Sequence, residues 1–407
     1  MTTRRDFNRM FTMLLGAHAM GLAASFARAA GPATGLELRS TVTSRGTLEI
    51  SLVPVEVRAP AADEILLRVE AAPINPSDMS SLFAVADMKT ARVSGTGANT
   101  VLTANIPADR LAAARARMGQ SLAVGMEGAG TVIDAGSSPA AQALLGRTVA
   151  VMSRAMFSQY RTIKADQILL HHAGTTPKAA ASSFINPQTA IGMVETMRLE
   201  GHRALVHTAA ASNLGQMLVK YCIEEQVEVV NIVRRQAQVD LLRGLGARHV
   251  VDSSSPSYTD DLVTAIQQTG ATLAFDAVGG GNLADQILSA MEAAARRANP
   301  NAGVLGTPTR KQLYIYGSLD TSPTFLSRNF GTGWSVGLWL FTDPQAKVGP
   351  ERVRQIRQRI ADEIATTFAS GYAAEVSLSG ALQPAAVAIY STQSTGEKYL
   401  INPSLAF

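Results

Sequence analysis

Residues 207–217 read HTAAASNLGQM and have the residue types needed to bind the phosphates of a nucleotide. A short apolar run precedes them and a helical pattern follows, which is where a dinucleotide-binding fold places its glycine-rich turn. Gly215 is the one glycine of the segment, but Ala209–Ala211 are small enough for a pyrophosphate to approach the backbone. Ser212 and Asn213 are good N-cap residues. The segment predicts a phosphate loop, with an ordinary capped helix as the alternative.

A pair of arginines follows the next apolar run, VEVVNIV, and favours NADP(H) over NAD(H). Proteins that bind NAD place an acidic residue about 20 residues after the turn, where it holds the adenosine ribose hydroxyls. Arg234 and Arg235 stand in that region here, and paired guanidinium groups suit a 2′-phosphate. The alternative is a solvated helix N-terminus, although positive charge there opposes the helix dipole.

The composition describes a globular protein rather than a disordered or nucleic-acid-binding chain. Its 407 residues are 46% hydrophobic and 17% charged. A chain of this length can form two domains, each with its own hydrophobic core. The 36 basic residues barely exceed the 32 acidic ones and form no single run, so we expect no nucleic-acid partner. Cys222 is the only cysteine, which excludes an intrachain disulfide, and its helical context favours a buried, inert thiol.

The N-terminal segment, residues 1–30, has the order of an export signal. Arg4-Arg5 is followed by an apolar stretch over residues 10–26 and by Ala27-Arg28-Ala29, a small-x-small cleavage pattern. The arginine pair resembles a twin-arginine motif, which predicts a periplasmic protein exported in the folded state. A cytoplasmic protein with an uncleaved amphipathic helix is the alternative. Because no later apolar run reaches about 18 residues, we expect no stable membrane span.

Two strand patterns divide the rest of the chain. Residues 34–185 are rich in short strands between glycines, apart from an alanine-rich stretch, 84–120, that predicts a helical insertion. Residues 186–345 alternate apolar runs with helical segments, which predicts a doubly wound parallel sheet with right-handed crossovers. A long amphipathic helix and further strands follow in residues 346–407. The expected fold class is therefore α/β, with a β-rich domain and a parallel-sheet domain.

A set of motifs resembles the medium-chain dehydrogenase/reductase superfamily over nearly all of the chain from about Leu36 onward. The motifs are AAPINPSD (71–78), GMEGAGTV (125–132), NPQTA (186–190), the loop at 207–217, LGARHVVDS (245–253), DAVGG (276–280) and TGEKYLI (395–401). INPSD, NPQTA and IVRR are most similar to the zinc-free branch, which includes quinone oxidoreductases and 2-enoyl thioester reductases. The resemblance implies a GroES-like catalytic domain over 34–185, a Rossmann NADP-binding domain over 186–345, and a return to the catalytic domain over 346–407.

The same resemblance argues against a metal. Zinc members of the superfamily carry Gly-His-Glu and a nearby cysteine, whereas this chain has Gly125-Met126-Glu127, with Ser77 and Asp78 in the region of the cysteine. A thioether is a poor zinc ligand, and one distant cysteine cannot complete a four-ligand site. We therefore expect no metal, and we expect Met126 to fill the core. Without a Lewis acid, hydride transfer favours acceptors that delocalise charge themselves.

The resemblance also implies a set of site residues. Asn75 and Thr189 would lie in the cleft near the nicotinamide, with a turn-forming role and a helix-capping role as their alternatives. Tyr316 and Gly317 would lie near the cofactor at the end of a Rossmann strand, with sheet packing as the alternative for Tyr316. The expected residues around NADP(H) are Ala210, Ser212, Asn213, Leu214, Gly215, Arg234, Arg235, Tyr316 and Gly317.

A missing tyrosine narrows the substrate. Enoyl reductases of the family place a proton-donating tyrosine a few residues after NPSD, but this chain has Phe83 there. Tyr160 is a remote substitute as a catalytic residue, with packing as its alternative role. The expected activity is zinc-independent, NADPH-dependent hydride transfer to a small electrophilic conjugated carbonyl, either a quinone or an enone. A 2-enoyl thioester reductase and an NADP(H)-binding protein without turnover are the alternatives.

The family often dimerises through the edge of the Rossmann sheet. The resemblance places that edge at QLYIYGSL, residues 312–319. A homodimer is therefore the expected assembly.

Overall fold

The computed structural model describes residues 32–396 and 398–406. The expected export signal at residues 1–30 lies outside this part of the chain. Within the described ranges, no helix combines the length and the apolar character that crossing a lipid bilayer requires.

The first half of the chain forms short, half-buried strands. Many of them alternate buried and exposed side chains, as expected of strands with one face on a core. Their bounds are β1 (Thr34–Val42), β2 (Thr47–Glu56), β3 (Glu64–Pro73), β4 (Asp87–Ser94), β5 (Val101–Asn105), β6 (Ser121–Ala123), β7 (Glu127–Ala135), β8 (Thr148–Met152), β9 (Tyr160–Lys164) and β10 (Ile168–Leu170).

The stretch 84–120 is not chiefly helical, so the sequence prediction was wrong there. It contributes β4 and β5 to a five-stranded sheet of order β4-β5-β2-β1-β6, in which Thr103 lies opposite Glu49 on one side and Arg92 on the other. Its alanine-rich part is helical, as expected: α2 (Leu111–Ala114) lies between two 3-10 helices, Ala108–Arg110 and Arg115–Arg117. Outside that run the backbone pairs instead, because β5 hydrogen-bonds to the open edge of β2 and β4 hydrogen-bonds to β5.

The second half of the chain contains the parallel sheet. Its strands are β11 (Ala204–His207), β12 (Glu228–Val233), β13 (His249–Asp252), β14 (Leu273–Asp276), β16 (Lys311–Ile315) and β18 (Trp334–Leu338). Their order is β13-β12-β11-β14-β16-β18, and every pairing is parallel. The chain adds strands on one side of β11, then crosses to the other side at β14. This is the doubly wound arrangement, and the crevice at its switch point lies between the carboxyl ends of β11 and β14.

The outer edge of this sheet is β18 rather than residues 312–319. β16 covers the first half of that range but pairs with both β14 and β18, so the sequence prediction of the edge was wrong. The remaining two strands of this half, β15 (Gly279–Gly281) and β17 (Asp320–Thr324), form a separate two-stranded ribbon. The order of strands in a sheet depends on the crossovers between them. The strand-like runs of a sequence therefore do not identify the outermost strand.

Helices connect and cover these sheets. Gly270, with φ of 68°, ends one of them in the left-handed conformation that glycine adopts without strain. The helix from Thr342 is interrupted at Gly349. Their bounds are α1 (Met79–Phe83), α2 (Leu111–Ala114), α3 (Pro139–Gln142), α4 (Pro177–Ala180), α5 (Ile185–Leu199), α6 (Asn213–Glu224), α7 (Gln236–Gly244), α8 (Tyr258–Thr269), α9 (Leu283–Ala298), α10 (Thr342–Asp362) and α11 (Pro384–Tyr390).

The C-terminal residues return to the β-rich half. β19 (Ala374–Val376) pairs with β20 (Tyr399–Ile401), and β20 pairs with β3, with Leu400 opposite Pro73. They complete a seven-stranded sheet of order β10-β8-β7-β3-β20-β19, in which β9 also pairs with β3. The return brings the end of the chain beside the residues that follow β3, which include Asn75.

Candidate active site

The loop between β11 and α6 has the geometry of a capped anion-binding turn. Ser212 is the N-cap of α6, and its hydroxyl accepts a hydrogen bond from the Gly215 N–H at 3.1 Å. The N–H groups of Asn213 and Leu214 belong to the first helical turn and lack intrahelical acceptors. Such N–H groups, together with the helix dipole, favour a negatively charged ligand. Ala209 has φ of 49°, a left-handed value at a position where glycine is usual.

Gly215 cannot carry a side chain in this turn. A Cβ atom added to it would lie 2.1 Å from the carbonyl oxygen of Ala210, which is backbone and cannot move aside cheaply. Ala210 is itself buried, and its N–H donates to the carbonyl of Ile232 in β12 at 3.2 Å. Gly215 and Ala210 therefore hold the loop tightly against the sheet. Leu214 packs against the neighbouring apolar cluster and anchors the first turn of the helix.

The side chain of Asn213 ties this loop to the C-terminal part of the chain. Its amide group donates to the Gly371 carbonyl at 3.4 Å, and its oxygen accepts from the Gly371 N–H at 3.3 Å. Asn213 therefore fixes the loop through two hydrogen bonds to the segment that leads into β19.

Arg234 and Arg235 lie between the end of β12 and the start of α7. Both side chains are exposed, and no ion pair involves either of them within residues 32–396 and 398–406. The Arg234 N–H donates to the side chain of Gln238 at 3.1 Å, and Gln238 donates to Thr395 at 3.0 Å. Two cations without a protein counter-charge, at the N-terminus of a helix, are available for an anionic ligand.

The carboxyl ends of β11 and β14 are joined by hydrogen bonds at the switch point. Thr208 donates to Asp276 at 2.8 Å and accepts from the Ala277 N–H at 2.8 Å. Gly317 follows β16 at the same end of the sheet, and a Cβ atom added to it would lie 2.5 Å from the Ala277 carbonyl oxygen. Gly317 is therefore required by the close approach of two backbones.

Glu127, which the sequence interpretation had not assigned a role, links Asn75 to the first residues of α5, the helix that carries Thr189. The Asn75 amide donates to Glu127 Oε1 at 2.8 Å, and the Phe184 and Ile185 N–H groups donate to Glu127 Oε2 at 3.1 and 2.9 Å. The carboxylate therefore caps the N-terminus of α5 and ties that helix to the turn after β3. Thr189 donates to the Ile185 carbonyl at 2.5 Å, inside the helix rather than at its cap.

Further ionisable groups surround Glu127. Burial raises its pKa, which the positive charge of Lys398 opposes. Burial lowers the pKa of Lys398 to about 8, against the effect of Glu127 and Asp78. Burial also raises the pKa of Asp78 to about 7, although this carboxyl accepts from the Asn75 N–H at 2.9 Å. Lys398 donates to Ser182 at 2.8 Å. Asp78, Glu127 and Lys398 belong to three separate motifs, AAPINPSD, GMEGAGTV and TGEKYLI, and only the fold shows that they meet.

His207 and Tyr316 form a second polar pair, at the ends of β11 and β16. The Tyr316 hydroxyl lies 2.7 Å from His207 Nε2, and the two rings stack with centroids 5.8 Å apart. His207 is fully buried, and burial lowers its pKa to about 3, so the imidazole is neutral. Its Nδ1 atom is buried without a hydrogen-bond partner among the residues that the structure describes. No local sequence pattern marks His207, because its partner is 109 residues away.

Met126 does not fill the core, so that expectation was wrong. Its side chain is 38% exposed because it sits at the turn just before β7 rather than on the inward face of the strand. Within the described residues, no group of three or more histidine, cysteine, aspartate or glutamate side chains is arranged to hold a metal ion. Cys222 is buried on α6, and burial raises the pKa of its thiol.

Tyr160 and Phe83 both pack in the β-rich half. Tyr160 lies on β9, and a Cβ atom added to Gly35 of β1 would be 2.7 Å from its ring. Its ring therefore packs against β1, and it takes no part in the contacts around Glu127. Phe83 is 6% exposed and stacks on Tyr390 with ring centroids 6.0 Å apart.

Comparisons with known proteins agree on the fold. No family model matches the sequence. The curated relatives include a mitochondrial enoyl-[acyl-carrier-protein] reductase from Caenorhabditis elegans, 25% identical over 60% of this chain and 64% of that protein. A synaptic vesicle membrane protein VAT-1 homolog from Homo sapiens is 27% identical over 39% of this chain and 41% of its own length. The matched part thus spans less than two thirds of each of these relatives.

Solved structures match much more of the chain. A provisionally named NADPH:quinone reductase from Mesorhizobium loti has a TM-score of 0.67 at 23% identity, over 92% of this chain and 100% of that one. The quinone oxidoreductase of Escherichia coli, solved with NADPH, has a TM-score of 0.63 at 16% identity. The match covers 91% of this chain and 100% of that one. At such identities these structures establish a shared two-domain fold.

Proposed function

We propose that this chain, which has the two-domain fold of the medium-chain dehydrogenases and reductases, is an NADPH-dependent oxidoreductase that transfers hydride to a conjugated carbonyl acceptor. The observation that carries the proposal is the loop at the switch point, which is capped by Ser212 and closely packed at Gly215. An exposed arginine pair lies at the end of the neighbouring strand. A dinucleotide crosses a doubly wound sheet at this place.

The residues present fit NADPH. The N–H groups of Asn213 and Leu214 in the first turn of α6 would hold the pyrophosphate, and Arg234 and Arg235 would hold the 2′-phosphate. Tyr316 and Gly317, Asn75 and Thr189 remain proposed cleft residues. When bound, NADPH supplies the hydride. The chain positions the acceptor, excludes water, and offers hydrogen-bond donors where negative charge develops on the acceptor oxygen.

A zinc-independent reaction belongs to the same proposal. Met126 offers a thioether at the position of a zinc-binding histidine, and both carboxylate oxygens of Glu127 already accept hydrogen bonds from Asn75 and the start of α5. Because both of its oxygens are already occupied, Glu127 fits the role of a structural carboxylate better than that of a metal ligand. Quinones and enones delocalise the incoming electron pair onto oxygen, so they need a hydrogen-bond donor rather than a Lewis acid.

A 2-enoyl thioester reductase is the second candidate. The similarity to an enoyl-[acyl-carrier-protein] reductase favours it. Against it, Phe83 stands where such enzymes have a tyrosine, and its stacking on Tyr390 leaves no phenol at that position. A protein that binds NADP(H) without turnover is the third candidate.

The test is a binding titration of the full chain with NADPH and NADH, followed by NADPH oxidation with a quinone, an enone and a crotonyl thioester. Tight NADPH binding with quinone or enone turnover is the expected result. Faster turnover of the thioester would select the second candidate, and tight binding without any turnover the third. Failure to bind either nucleotide would overturn the cofactor assignment and the proposed activity together.

Two further parts of the proposal concern assembly and location. We expect a homodimer through β18, because an open strand edge can pair antiparallel with its own copy about a two-fold axis. Leu338 and Leu340 at this edge are 76% and 54% exposed, which suits burial against a second copy. Export through the twin-arginine segment is expected to place the protein in the periplasm, and a cytoplasmic location is the alternative.

A further inference from the structure

We propose that Tyr316 donates a hydrogen bond to the carbonyl oxygen of the acceptor and that His207 fixes the direction of its O–H group. The inference rests on the proposed function, and it supplies the phenol that is missing at Phe83. Four observations support it: the position of the pair in the fold, its orientation toward α5, the partial exposure of Tyr316, and the hydrogen bonding of His207.

The pair lies at the end of the sheet where a nucleotide would bind. His207 is the last residue of β11, and Tyr316 directly follows β16, so both stand at the carboxyl ends of parallel strands. Thr208, the next residue after His207, joins the two sides of the switch point through Asp276. Tyr316 is thus beside the proposed cofactor crevice.

The pair also faces the helix that carries Thr189. Only residues 200–203 separate α5 from β11, so the two elements run antiparallel and the first turns of α5 lie at the carboxyl end of β11. The Tyr316 ring meets the edge of Trp339 with centroids 6.4 Å apart. A Cβ atom on Gly192 would lie 3.3 Å from the Trp339 ring, and Gly192 is one turn from Thr189 on the same helix face.

The hydrogen-bond pattern leaves the Tyr316 proton free. His207 Nδ1 is buried without a partner, and a buried N–H without an acceptor is rarer than a buried acceptor without a donor. The favoured tautomer therefore carries its proton on Nε2, which donates to the Tyr316 oxygen at 2.7 Å. The hydroxyl proton of Tyr316 then points away from His207. Tyr316 is only partly buried, and we infer that this proton is directed into the crevice beside it.

The proposed reaction requires only a hydrogen-bond donor beside the carbonyl oxygen of the acceptor. Reduction of a conjugated carbonyl moves an electron pair onto its oxygen, and a fixed O–H group directed at that oxygen lowers the barrier. Burial raises the pKa of Tyr316, so the phenol stays protonated over the working pH range. His207 is a positioning residue in this scheme, and Tyr316 is the group that touches the acceptor.

The experiment compares Tyr316→Phe with Tyr314→Phe in the full chain. Tyr314 is the matched control, because it lies two residues before Tyr316, on β16, and its hydroxyl donates to Glu200 at 2.6 Å, on the short connection that leads from α5 into β11. We expect Tyr316→Phe to lower kcat by about 100-fold, the typical effect of removing one oxyanion donor, with the Kd for NADPH unchanged. Tyr314→Phe should retain turnover.

A spectroscopic measurement separates donation from packing. The probe is 4-(dimethylamino)cinnamaldehyde with NADP⁺, since its absorption moves to longer wavelength when a donor bonds its carbonyl oxygen. We expect the shift with wild type and Tyr314→Phe and its loss with Tyr316→Phe. His207→Leu should weaken the shift, and His207→Gln, whose amide N–H can replace Nε2–H, should restore it.

The outcomes distinguish the inference from the function on which it rests. An undiminished shift and kcat in Tyr316→Phe, with acceptor turnover intact in wild type, would overturn the role of Tyr316 and leave the proposed function standing. If Tyr316→Phe fails to fold, the two His207 variants still test the inference. Equal absorption shifts of the bound aldehyde in His207→Leu and His207→Gln would overturn the positioning role of His207. Wild type that neither binds nor reduces conjugated carbonyls would overturn both proposals.

Discussion

Replacing Arg234 and Arg235 with alanine tests the nucleotide assignment most directly. A guanidinium–phosphate hydrogen bond contributes about 1.5–3 kcal/mol where it is well formed. Both side chains are exposed, so solvent screening reduces this to about 1 kcal/mol each. The double variant should therefore lose about 2 kcal/mol of NADPH binding. Since 1.4 kcal/mol corresponds to a tenfold change, the Kd for NADPH should rise by about 30-fold.

The assay is a fluorescence titration of each variant with NADPH and with NADH. NADH lacks the 2′-phosphate, so its Kd should change by less than about twofold in the double variant. Arg243→Ala is the matched control, because Arg243 is an exposed arginine in the last turn of the same helix, α7. It should leave both constants unchanged. Added salt should weaken NADPH binding to wild type more than NADH binding, because the additional attraction is between exposed charges.

Two results would refute this reasoning. Equal losses of NADPH and NADH affinity in the double variant would mean that the arginines support the fold of the crevice rather than bind a phosphate. A loss of NADPH affinity in Arg243→Ala of the same size would mean that the general positive charge of α7 is responsible.

The remaining predictions concern the loop, a buried carboxyl and the sheet edge. Gly215→Ala should abolish binding of both nucleotides and lower the free energy of unfolding by about 3 kcal/mol, because its Cβ would overlap the Ala210 carbonyl oxygen; Gly244→Ala, where nothing lies within 4 Å, should leave binding unchanged and raise the melting temperature slightly. Asp78 has a folded pKa of about 7, above its ordinary value of 3.8, so the folded state binds more protons and stability should fall as pH rises between these values; Asp78→Asn should flatten that fall in thermal melts from pH 4 to pH 7, and an unchanged slope would contradict the assignment. Leu338→Lys should shift the sedimentation coefficient from dimer toward monomer, and a wild type that sediments as a monomer would exclude the proposed assembly.

Local chemistry made parts of this protein predictable. Ser212 caps a helix because its hydroxyl can accept from an N–H three residues later, and that property belongs to the sequence itself. The alternation of apolar runs and helical segments likewise predicts a parallel sheet. Gly215 could be marked as a close-packing position, because such a turn requires a residue without a Cβ atom.

Local preference failed where long-range pairing decided the structure. The stretch 84–120 is helical only in its alanine-rich run, because elsewhere β5 pairs with the edge of β2, which is distant in sequence, and β4 pairs with β5. Met126 was expected in the core as an apolar residue, but its position at the start of β7 leaves it exposed. The outermost strand of the parallel sheet was missed, because β18, Trp334–Leu338, is mostly unburied and lacks the continuous apolar run of the inner strands.

The sequence by itself determined the alternating elements of the parallel-sheet domain up to β16, the capped loop and the arginine pair, because each depends on residues a few positions apart. Only the tertiary structure decided which polar groups meet. Glu127 joins Asn75 from 52 residues away, and His207 joins Tyr316 from 109 residues away. Such contacts follow from strand order and from the return of the chain to its first domain. Their energies depend on burial, a property of the whole fold that no single segment carries.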